Sequence, residues 1–537
     1  MNENNHDKRE TTHVIDRRSK TPLNACSLEV LKDSIKLKGN DRSDKNDDED
    51  DRAIRGHQYY HPLVIGCYEL NENNDSTQEA EQSVGGEQDE EYAEQEEGEG
   101  EKQSSRGSTR SGALLLHMIS SSSPPSTTLA ATNQTCHLKF HKADQTLLTS
   151  SGILDGKWYQ KNIITKDESF SGYAYATATA SGSIDVYHLQ HKFQQNTKNN
   201  YKDHGDGTIG KCEEDTEGDN RMEQLERKQS SSNNKTQYLL KHIASSLFSD
   251  TSCASNYNED NGLALSLAWD ESHANNYSEE QQRTTRIVSS YSKGTLAVHE
   301  IDLSLSSTDT PPENIKIKET HRWNAHTLFG CAAEVWTVCF ASNQQYSTYS
   351  NTLISGGDDC TMKLWDLRTC SDCNGSIMIN RPIHSIGQEE YNAGVTAVAY
   401  HPSSEHLFCC GSYDESVRLW DMRKLSSKEP LNRIDVGGGV WRVKWHPKDK
   451  GRILVGAMHG GCCVVDIPCL SHCHNNNGSD VDGEDSDSGS YDMRITGEFV
   501  EHESMAYGAD WVFLDGQYEA AASCSFYDRQ AYIWSTI

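Results

Sequence analysis

The feature of the sequence that most limits the fold is a unit that is written out twice in full. Residues 353–366 read LISGGDDCTMKLWD, and residues 410–421 read CGSYDESVRLWD. In each copy a strand of small residues is followed by a polar turn and by a strand that ends on Leu-Trp-Asp. Asp359 and Asp414 both lie six residues before the tryptophan of their copy. Because side chains alternate along a strand, the unit predicts a short antiparallel sheet that is repeated along the chain.

The unit resembles the WD repeat, and this resemblance implies an all-β fold, the WD40 β-propeller. Further strand pairs complete seven blades between residues 25 and 537. Residues 1–24 are expected to be an N-terminal tail, in which Thr12–Asp16 closes the ring by pairing with the last blade. The resemblance also implies a hydrogen-bonded structural tetrad in blade 4, formed by His326, Ser355, Asp359 and Trp365.

The charge of the chain is concentrated in segments that interrupt the blades. The net charge is -31, from 81 acidic and 50 basic residues. Acidic or polar runs at about 71–111, 190–234 and 470–495 are expected to be long disordered insertions. This acidic balance argues against nucleic-acid binding, which requires clustered Lys and Arg.

The remaining composition indicates a cytoplasmic protein that does not enter a membrane. The N-terminus lacks the apolar core of a signal peptide, and no run of 18 apolar residues occurs. The 17 cysteines are therefore expected to be reduced thiols. A zinc site at Cys370 and Cys373, or at Cys469, Cys473 and His474, is a weak alternative, because these residues lie in loops between blades without paired spacing.

Two groups of side chains are expected to meet on one face of the propeller. The first strand of each blade begins on this face, and the turn between the second and third strands returns to it. These positions supply the predicted substrate-binding residues, which are Trp336, Tyr413, Trp441 and Tyr507. Taken singly, each is also accounted for by ordinary blade packing.

Blade 6 departs from the repeat in its turn, which carries His459 where Asp is usual. A histidine suits general acid or base catalysis near neutral pH. Arg442 on the same blade could bind a carboxylate or stabilise an oxyanion. Asp510 on the next blade could orient the histidine. Standard hydrolase motifs such as Gly-x-Ser-x-Gly and His-Glu-x-x-His are absent, so spacing alone would indicate a scaffold.

From residue 263 onward a more specific resemblance emerges. The segments GGVWRVKWHP (438–447), AMH (457–459), YGADW (507–511) and CSFYD (524–528) are similar to those of the diphthine methylesterases, also called diphthine methyltransferases. The resemblance implies hydrolysis of the methyl ester of methylated diphthine, the modified histidine of translation elongation factor 2, without a metal or an organic cofactor. It covers the strands and none of the acidic insertions.

The hypothesis for catalysis places His459 as the base, Asp510 as its orienting group and Arg442 at the ester. The resemblance does not itself assign these roles. A covalent nucleophile, Ser525 or Cys524, is a weaker version. The alternative function is a scaffold or a substrate receptor, because 365–368 (WDLR) and 420–423 (WDMR) resemble the box that binds the adaptor of cullin-4 ubiquitin ligases.

Overall fold

Antiparallel strands form almost all of the regular structure in the residues that the structure describes. The computed structural model describes residues 18–21, 23–32, 35–36, 59–70, 110–121, 143–160, 170–192, 237–246, 262–272, 284–303, 315, 317–343, 345–346, 348–369, 381–471, 491–514 and 518–535. Within these residues the strands assemble into seven sheets, each a meander of four or more strands, and one separate hairpin. The predicted seven-bladed propeller is confirmed.

The blades follow one another along the chain. Blade 1 comprises Asn24–Val30, Tyr59–Leu70, Arg110–Ser121 and Gln145–Thr149, with Ile35–Lys36 beside its second strand; blade 2 comprises Ile153–Trp158, Phe170–Thr179, Ile184–Lys192 and Gln237–Ser245; blade 3 comprises Ala264–Trp269, Thr284–Tyr291, Thr295–Asp302 and Ile317–Asn324. Blade 4 comprises Thr337–Phe340, Thr352–Gly357, Thr361–Asp366 and His384–Ile386; blade 5 comprises Val395–Tyr400, Leu407–Ser412, Ser416–Asp421 and Asn432–Asp435; blade 6 comprises Arg442–Trp445, Arg452–Gly456, Cys462–Asp466 and Arg494–Phe499; blade 7 comprises Ala506–Leu514, Tyr518–Ser525, Gln530–Ser535 and Arg18–Lys20.

Short elements complete the secondary structure. The separate hairpin pairs Thr327–Leu328 with Cys331–Ala332, between blades 3 and 4. Helical turns follow the third strands of blades 4, 5 and 6 at Leu367–Thr369, Leu425–Ser427 and Pro468–Ser471. In the part of the chain that the structure describes, no helix has the length and apolar character needed to cross a membrane.

The ring is closed by the N-terminal segment. Arg18–Lys20 pairs antiparallel with the last strand of the chain, with Arg18 opposite Tyr532. The segment that we predicted for this role, Thr12–Asp16, lies outside the described residues. The first strands of neighbouring blades contact each other all the way round, and blade 7 returns to blade 1. These seven strands are therefore the innermost strands, and they surround the axis.

The three predicted insertions fall largely outside the described residues. Strands nevertheless extend a short way into each of them. The third strand of blade 1 begins at Arg110, the third strand of blade 2 continues to Lys192, and the last strand of blade 6 begins at Arg494.

Blade 4 is closed by the four residues of the predicted tetrad. His326 Nδ1 donates to Asp359 Oδ1 at 2.8 Å, and Ser355 Oγ lies 2.7 Å from His326 Nε2. Trp365 Nε1 donates to the same Ser355 oxygen at 2.9 Å. Burial lowers the pKa of His326, so the ring is neutral and can both donate and accept. The tetrad is structural because all four side chains are buried and bonded to one another.

Blade 7 contains a second tetrad, which the sequence analysis missed. His502 Nε2 lies 2.8 Å from Ser523 Oγ, and Trp534 Nε1 donates to that oxygen at 3.2 Å. His502 Nδ1 faces Asp528 Oδ2 at 3.7 Å. Asp528 lies six residues before Trp534, as Asp359 lies before Trp365, so the spacing would have revealed it.

Candidate functional site

The first strand of blade 6 divides its side chains between the core and the axis. Val443 and Trp445 are buried in the apolar core that blade 6 shares with blade 5, whereas Arg442 and Lys444 point the other way. Arg442 Nη2 lies 3.2 Å from Asp155 Oδ1 on the first strand of blade 2. Blades 6 and 2 are not neighbours in the ring. This contact therefore crosses the axis of the propeller.

Further charges from the innermost strands join this contact. Lys157 Nζ donates to Asp155 Oδ1 at 3.1 Å, and Ser266 Oγ of blade 3 donates to Asp155 Oδ2 at 3.0 Å. Lys444 Nζ donates to Glu29 of blade 1, whose carboxylate is also 3.7 Å from Lys157 Nζ. We call these residues and Asp510 of blade 7 the axial cluster, which comprises Glu29, Asp155, Lys157, Arg442, Lys444 and Asp510.

The acids of the axial cluster differ in their tendency to ionise. Burial opposes ionisation of Asp155, but Lys157 and Arg442 bring its pKa down to about 2. Burial likewise opposes ionisation of Glu29, and Lys444 and Lys157 outweigh it and lower the pKa. For Asp510, 3% exposed, burial dominates and raises the pKa. Asp155 and Glu29 are thus the counter-anions of the three bases, and Asp510 is the acid that most readily holds a proton.

Aromatic rings stand at the end of the axis where the first strands begin. The ring of Trp441 lies 5.7 Å from that of Trp336, 6.0 Å from that of Tyr413 and 5.2 Å from that of Tyr507, measured between centroids. All four are partly exposed. The structure therefore brings together the four residues predicted to bind substrate, and we call them the aromatic mouth. Phe526 continues the row, 5.6 Å from Tyr507.

Arg442 connects the aromatic mouth with the axial cluster. Its guanidinium carbon lies 5.7 Å from the centroid of the Trp441 ring, and its side chain is 12% exposed. A glycine run sets the position of Trp441: a Cβ on Gly438 would lie 2.2 Å from the carbonyl oxygen of Ala457. The strand can pass this close to the turn of blade 6 only without a side chain.

The mouth also contains acidic groups. Trp336 Nε1 donates to Asp358 Oδ1 at 3.1 Å. Burial raises the pKa of the Tyr413 hydroxyl, and the charges of Asp358 and Glu334 add to the effect. The aromatic mouth therefore combines aromatic ring faces with negative charge. Such an environment favours the binding of cationic groups.

His459, Asp510 and Arg442, the three residues of the predicted unit, each have other partners, and Asp510 lies apart from the turn that carries His459. His459 is 65% exposed, with Nε2 3.7 Å from Glu415 Oε1. Asp510 Oδ2 instead accepts from the backbone amide of Val30 at 2.9 Å. The backbone of Met458 bonds to Ala506, and Asp510 lies four residues further along that strand. At about 3.3 Å per residue, this places Asp510 about 13 Å below the turn.

The alternative nucleophiles are poorly placed for attack. Cys524 and Ser525 are both fully buried. Burial raises the pKa of the Cys524 thiol to about 12, so it stays protonated at neutral pH. Neither residue reaches a surface from which an ester could approach.

The zinc alternative receives no support from the described residues. Cys370, Cys373, Cys473 and His474 lie outside them. Elsewhere in the described ranges no group of three or more His, Cys, Asp or Glu side chains is arranged to hold a metal ion.

Glu29, Lys157 and Lys444 were not among the predicted site residues. Lys157 and Lys444 lie on innermost strands where charged residues alternate with others, as in RVKW (442–445) and DGKW (155–158), and Glu29 lies between the apolar Leu28 and Val30. A charge at alternate positions of a strand that is otherwise apolar indicates a side chain directed at the axis. That signal was available before the structure.

The fold and the repeats define the class. The chain is a WD-repeat β-propeller, and residues 319–366 and 380–421 match the family model described as "WD domain, G-beta repeat". Within this class it is similar to the diphthine methyltransferases, which confirms the resemblance found in the sequence. It is 30% identical over 275 residues to the diphthine methyltransferase homolog of Dictyostelium discoideum, covering 51% of this chain and 62% of the relative. It is 28% identical over 256 residues to the diphthine methyltransferase of Mus musculus, covering 48% of this chain and 43% of the relative.

These two matches cover about half of this chain, and 62% and 43% of the length of the two relatives. A shorter match joins the chain to the DDB1- and CUL4-associated factor 11 homolog of Caenorhabditis briggsae, which is 32% identical over 143 residues, or 26% of this chain and 23% of that relative.

Proposed function

We propose that this protein hydrolyses the methyl ester of methylated diphthine on translation elongation factor 2, giving diphthine and methanol, and that the reaction takes place at the aromatic mouth. The observation that carries the proposal is the convergence of the motifs that resemble the family. The segments 438–447, 507–511 and 524–528 are far apart in the chain, yet each contributes to the mouth or the axial cluster or contacts it. In the segment 457–459, the Met458 carbonyl accepts from the amide of Ala506, the neighbour of Tyr507.

The substrate side chain would enter between the aromatic rings. Trp441 and Tyr507 offer ring faces to the apolar and cationic parts of a modified histidine. Asp358 and Glu334 add negative charge at the same place. The ester group would then lie towards Arg442, below Trp441.

Arg442 is suited to stabilise the charge that develops during hydrolysis. Attack of water on the ester carbonyl produces a tetrahedral oxyanion, and a guanidinium N–H can donate to it. Asp155 holds the guanidinium by one nitrogen at 3.2 Å, so other N–H groups remain to donate. Collapse of the intermediate expels methoxide, which leaves as methanol after taking up the proton. The oxygen of water ends in the new carboxylate.

His459 is the proposed general base, with Glu415 rather than Asp510 as its partner. It is the exposed imidazole of the blade 6 turn, and it stands three residues beyond Gly456, which pairs with Arg442. Glu415 Oε1, 3.7 Å from Nε2, would orient the imidazole towards the attacking water. Asp510 is a positioning residue that accepts from Val30 and stands 4.0 Å from Lys444 Nζ.

A matched pair of histidines tests this assignment. His406 also faces a glutamate, with Nε2 3.6 Å from Glu405 Oε2, but it lies in the loop at the opposite face of blade 5. We expect His459→Gln to lower methanol release from methylated elongation factor 2 by roughly 10²–10⁴-fold. His406→Gln should leave it unchanged. Equal turnover by the two variants would remove His459 from the mechanism.

A second candidate function is an adaptor-binding receptor. Arg368 and Arg423 each bind the aspartate two residues before them with two nitrogens, at 3.0 and 2.8 Å in the first case and 3.0 and 2.6 Å in the second. Their side chains are 71% and 59% exposed. The similarity to the DDB1- and CUL4-associated factor 11 homolog, which covers 26% of this chain, supports this second function. Capture of the cullin-4 adaptor by the wild type and not by an Arg368→Glu, Arg423→Glu variant would support it.

A further inference from the structure

The connection between blades 3 and 4 carries a hairpin that the proposed chemistry does not use. Thr327–Leu328 pairs with Cys331–Ala332, and Phe329 and Gly330 form the turn between them. The hairpin follows directly on His326, which Asp359 and Ser355 hold in the interior. Its tip is therefore presented from a fixed base.

Phe329 adopts a backbone conformation that is unfavourable for an aromatic residue. Its φ is 52°, and that of Gly330 is 83°. Positive φ at both central residues is typical of a type I′ turn, for which Asn-Gly is a preferred sequence. A phenylalanine there brings its Cβ too close to the backbone. The folded chain gains little in return, because the side chain is 97% exposed.

The whole hairpin is exposed and uncharged. Leu328 is partly exposed and the other five residues of 327–332 are exposed. The segment reads TLFGCA, in a chain of which 24% is charged. An exposed apolar element of this kind is typical of an interaction site. Strain that is retained at an exposed position also indicates function.

The hairpin stands beside the aromatic mouth. Its second strand leads through Ala333 and Glu334 to Trp336, and the Ala333 amide donates to the His326 carbonyl at 3.2 Å. Between the hairpin and the mouth lie Glu334 and Asp358, joined by a backbone hydrogen bond of 2.9 Å. A molecule that covers both the hairpin and the aromatic mouth therefore contacts the apolar tip of the hairpin and the negatively charged side chains of Glu334 and Asp358.

We propose that the hairpin 327–332 is a docking element for the protein that carries the ester. Phe329 inserts into an apolar pocket of that protein, and basic side chains at the edge of the pocket face Glu334 and Asp358. The inference rests on the proposed function, because it assigns the partner as the protein substrate. Exposed aromatic residues are frequent anchors of protein interfaces.

The variant Phe329→Asn separates docking from folding and from chemistry. Because asparagine suits the first central position of a type I′ turn, the melting temperature should stay unchanged or rise. The KM for methylated elongation factor 2 should rise about tenfold with an unchanged kcat, as expected for loss of an aromatic anchor. Hydrolysis of a short methyl-ester peptide with the same modified residue should be unaffected.

Tyr346→Asn is the matched control. Tyr346 is an exposed aromatic residue, at 40%, in the loop of blade 4 on the opposite face, and its loss should not change the KM. An unchanged KM for Phe329→Asn, or a parallel loss with the peptide, overturns the docking role. Failure of the wild type to hydrolyse either substrate contradicts the proposed function instead. Direct binding of the methylated protein then still tests the hairpin, and an equal Kd for wild type and Phe329→Asn overturns it.

Discussion

Arg442 of blade 6 binds Asp155 of blade 2 across the axis of the propeller, with 3.2 Å between Nη2 and Oδ1. The same carboxylate accepts hydrogen bonds from Lys157 and from Ser266 of blade 3. One buried aspartate thus joins three blades, two of them neighbours and one opposite. The interaction that stabilises the ring also holds Arg442 below the aromatic mouth.

Replacing Asp155 should reveal its contribution to stability through pH. Although burial acts against it, Lys157 and Arg442 lower the pKa of Asp155 from 3.8 to about 2. A carboxyl group with a lowered pKa in the folded chain stabilises it above the unfolded pKa, and that contribution is lost as pH falls from about 4 towards 2. Asp155→Asn should therefore lower the free energy of unfolding at neutral pH by about 3 kcal/mol.

Urea unfolding followed by tryptophan fluorescence measures this difference. Wild type and Asp155→Asn should begin to converge as the pH is lowered from about 7 to about 3, because the carboxyl group of the unfolded chain is protonated below about 4 while that of the folded chain stays ionised until about 2. A difference that is absent at neutral pH, or that grows in acid, would contradict the assignment of Asp155 as the anion of the axial cluster.

Arg442→Lys should separate charge from geometry. A lysine keeps a positive charge near Asp155, so most of the stability should remain, but it lacks the planar set of N–H donors. We expect kcat for ester hydrolysis to fall by about 100-fold, the effect of losing an oxyanion donor. The control is Arg423→Lys, since the exposed side chain of Arg423 also pairs with a buried aspartate, Asp421. Near-normal turnover by Arg442→Lys would show that the guanidinium has no part in the chemistry.

Trp441 and Trp445 should respond differently to replacement by alanine. Trp441 is partly exposed at the mouth, so Trp441→Ala should raise the KM by about tenfold with little loss of stability. Trp445 is 6% exposed, and its Nε1 donates to the Ala399 carbonyl at 3.0 Å. Trp445→Ala should lower the free energy of unfolding by about 3–5 kcal/mol. Steady-state kinetics and urea unfolding of both variants check the contrast, which equal effects on stability would contradict.

Ser355→Ala should destabilise blade 4 without affecting the chemistry. The change leaves His326 and the Trp365 N–H without their common partner inside the core, which costs about 1–3 kcal/mol. Ser416→Ala is the control, because that hydroxyl donates to Asp414 at 3.4 Å within its own turn. Its effect should stay within about 0.5 kcal/mol. Thermal unfolding of both variants measures the difference, and equal effects would argue against a structural tetrad.

The fold was predictable because it depends on local pattern. Strand alternation, the six-residue spacing from Asp359 to Trp365 and the Leu-Trp-Asp ends are visible in the sequence, and the propeller follows from them. The four aromatic residues of the mouth were also predictable, since the ends of the first strands and the turns after the second strands must meet on one face. Their mutual contacts bear out that geometry.

The partners of the individual charges could not be predicted in the same way. His459 and Asp510 belong to neighbouring blades, but they are separated along the axis by about four residues of strand. This separation cannot be read from their positions in the repeat. The pairing of Arg442 with Asp155 depends on the reach of a side chain across the axis. Only the closed ring determines which of the opposite strands it meets.

The fate of the water oxygen tests ester hydrolysis by this protein most directly. The purified protein is incubated with methyl-esterified elongation factor 2 in water enriched in the heavy oxygen isotope, without any methyl donor. We expect methanol to be released and one labelled oxygen to appear in the carboxylate of the product, with Arg442→Gln close to background. An intact ester, or a substrate that gains a methyl group only when a donor is added, would contradict hydrolysis at this propeller.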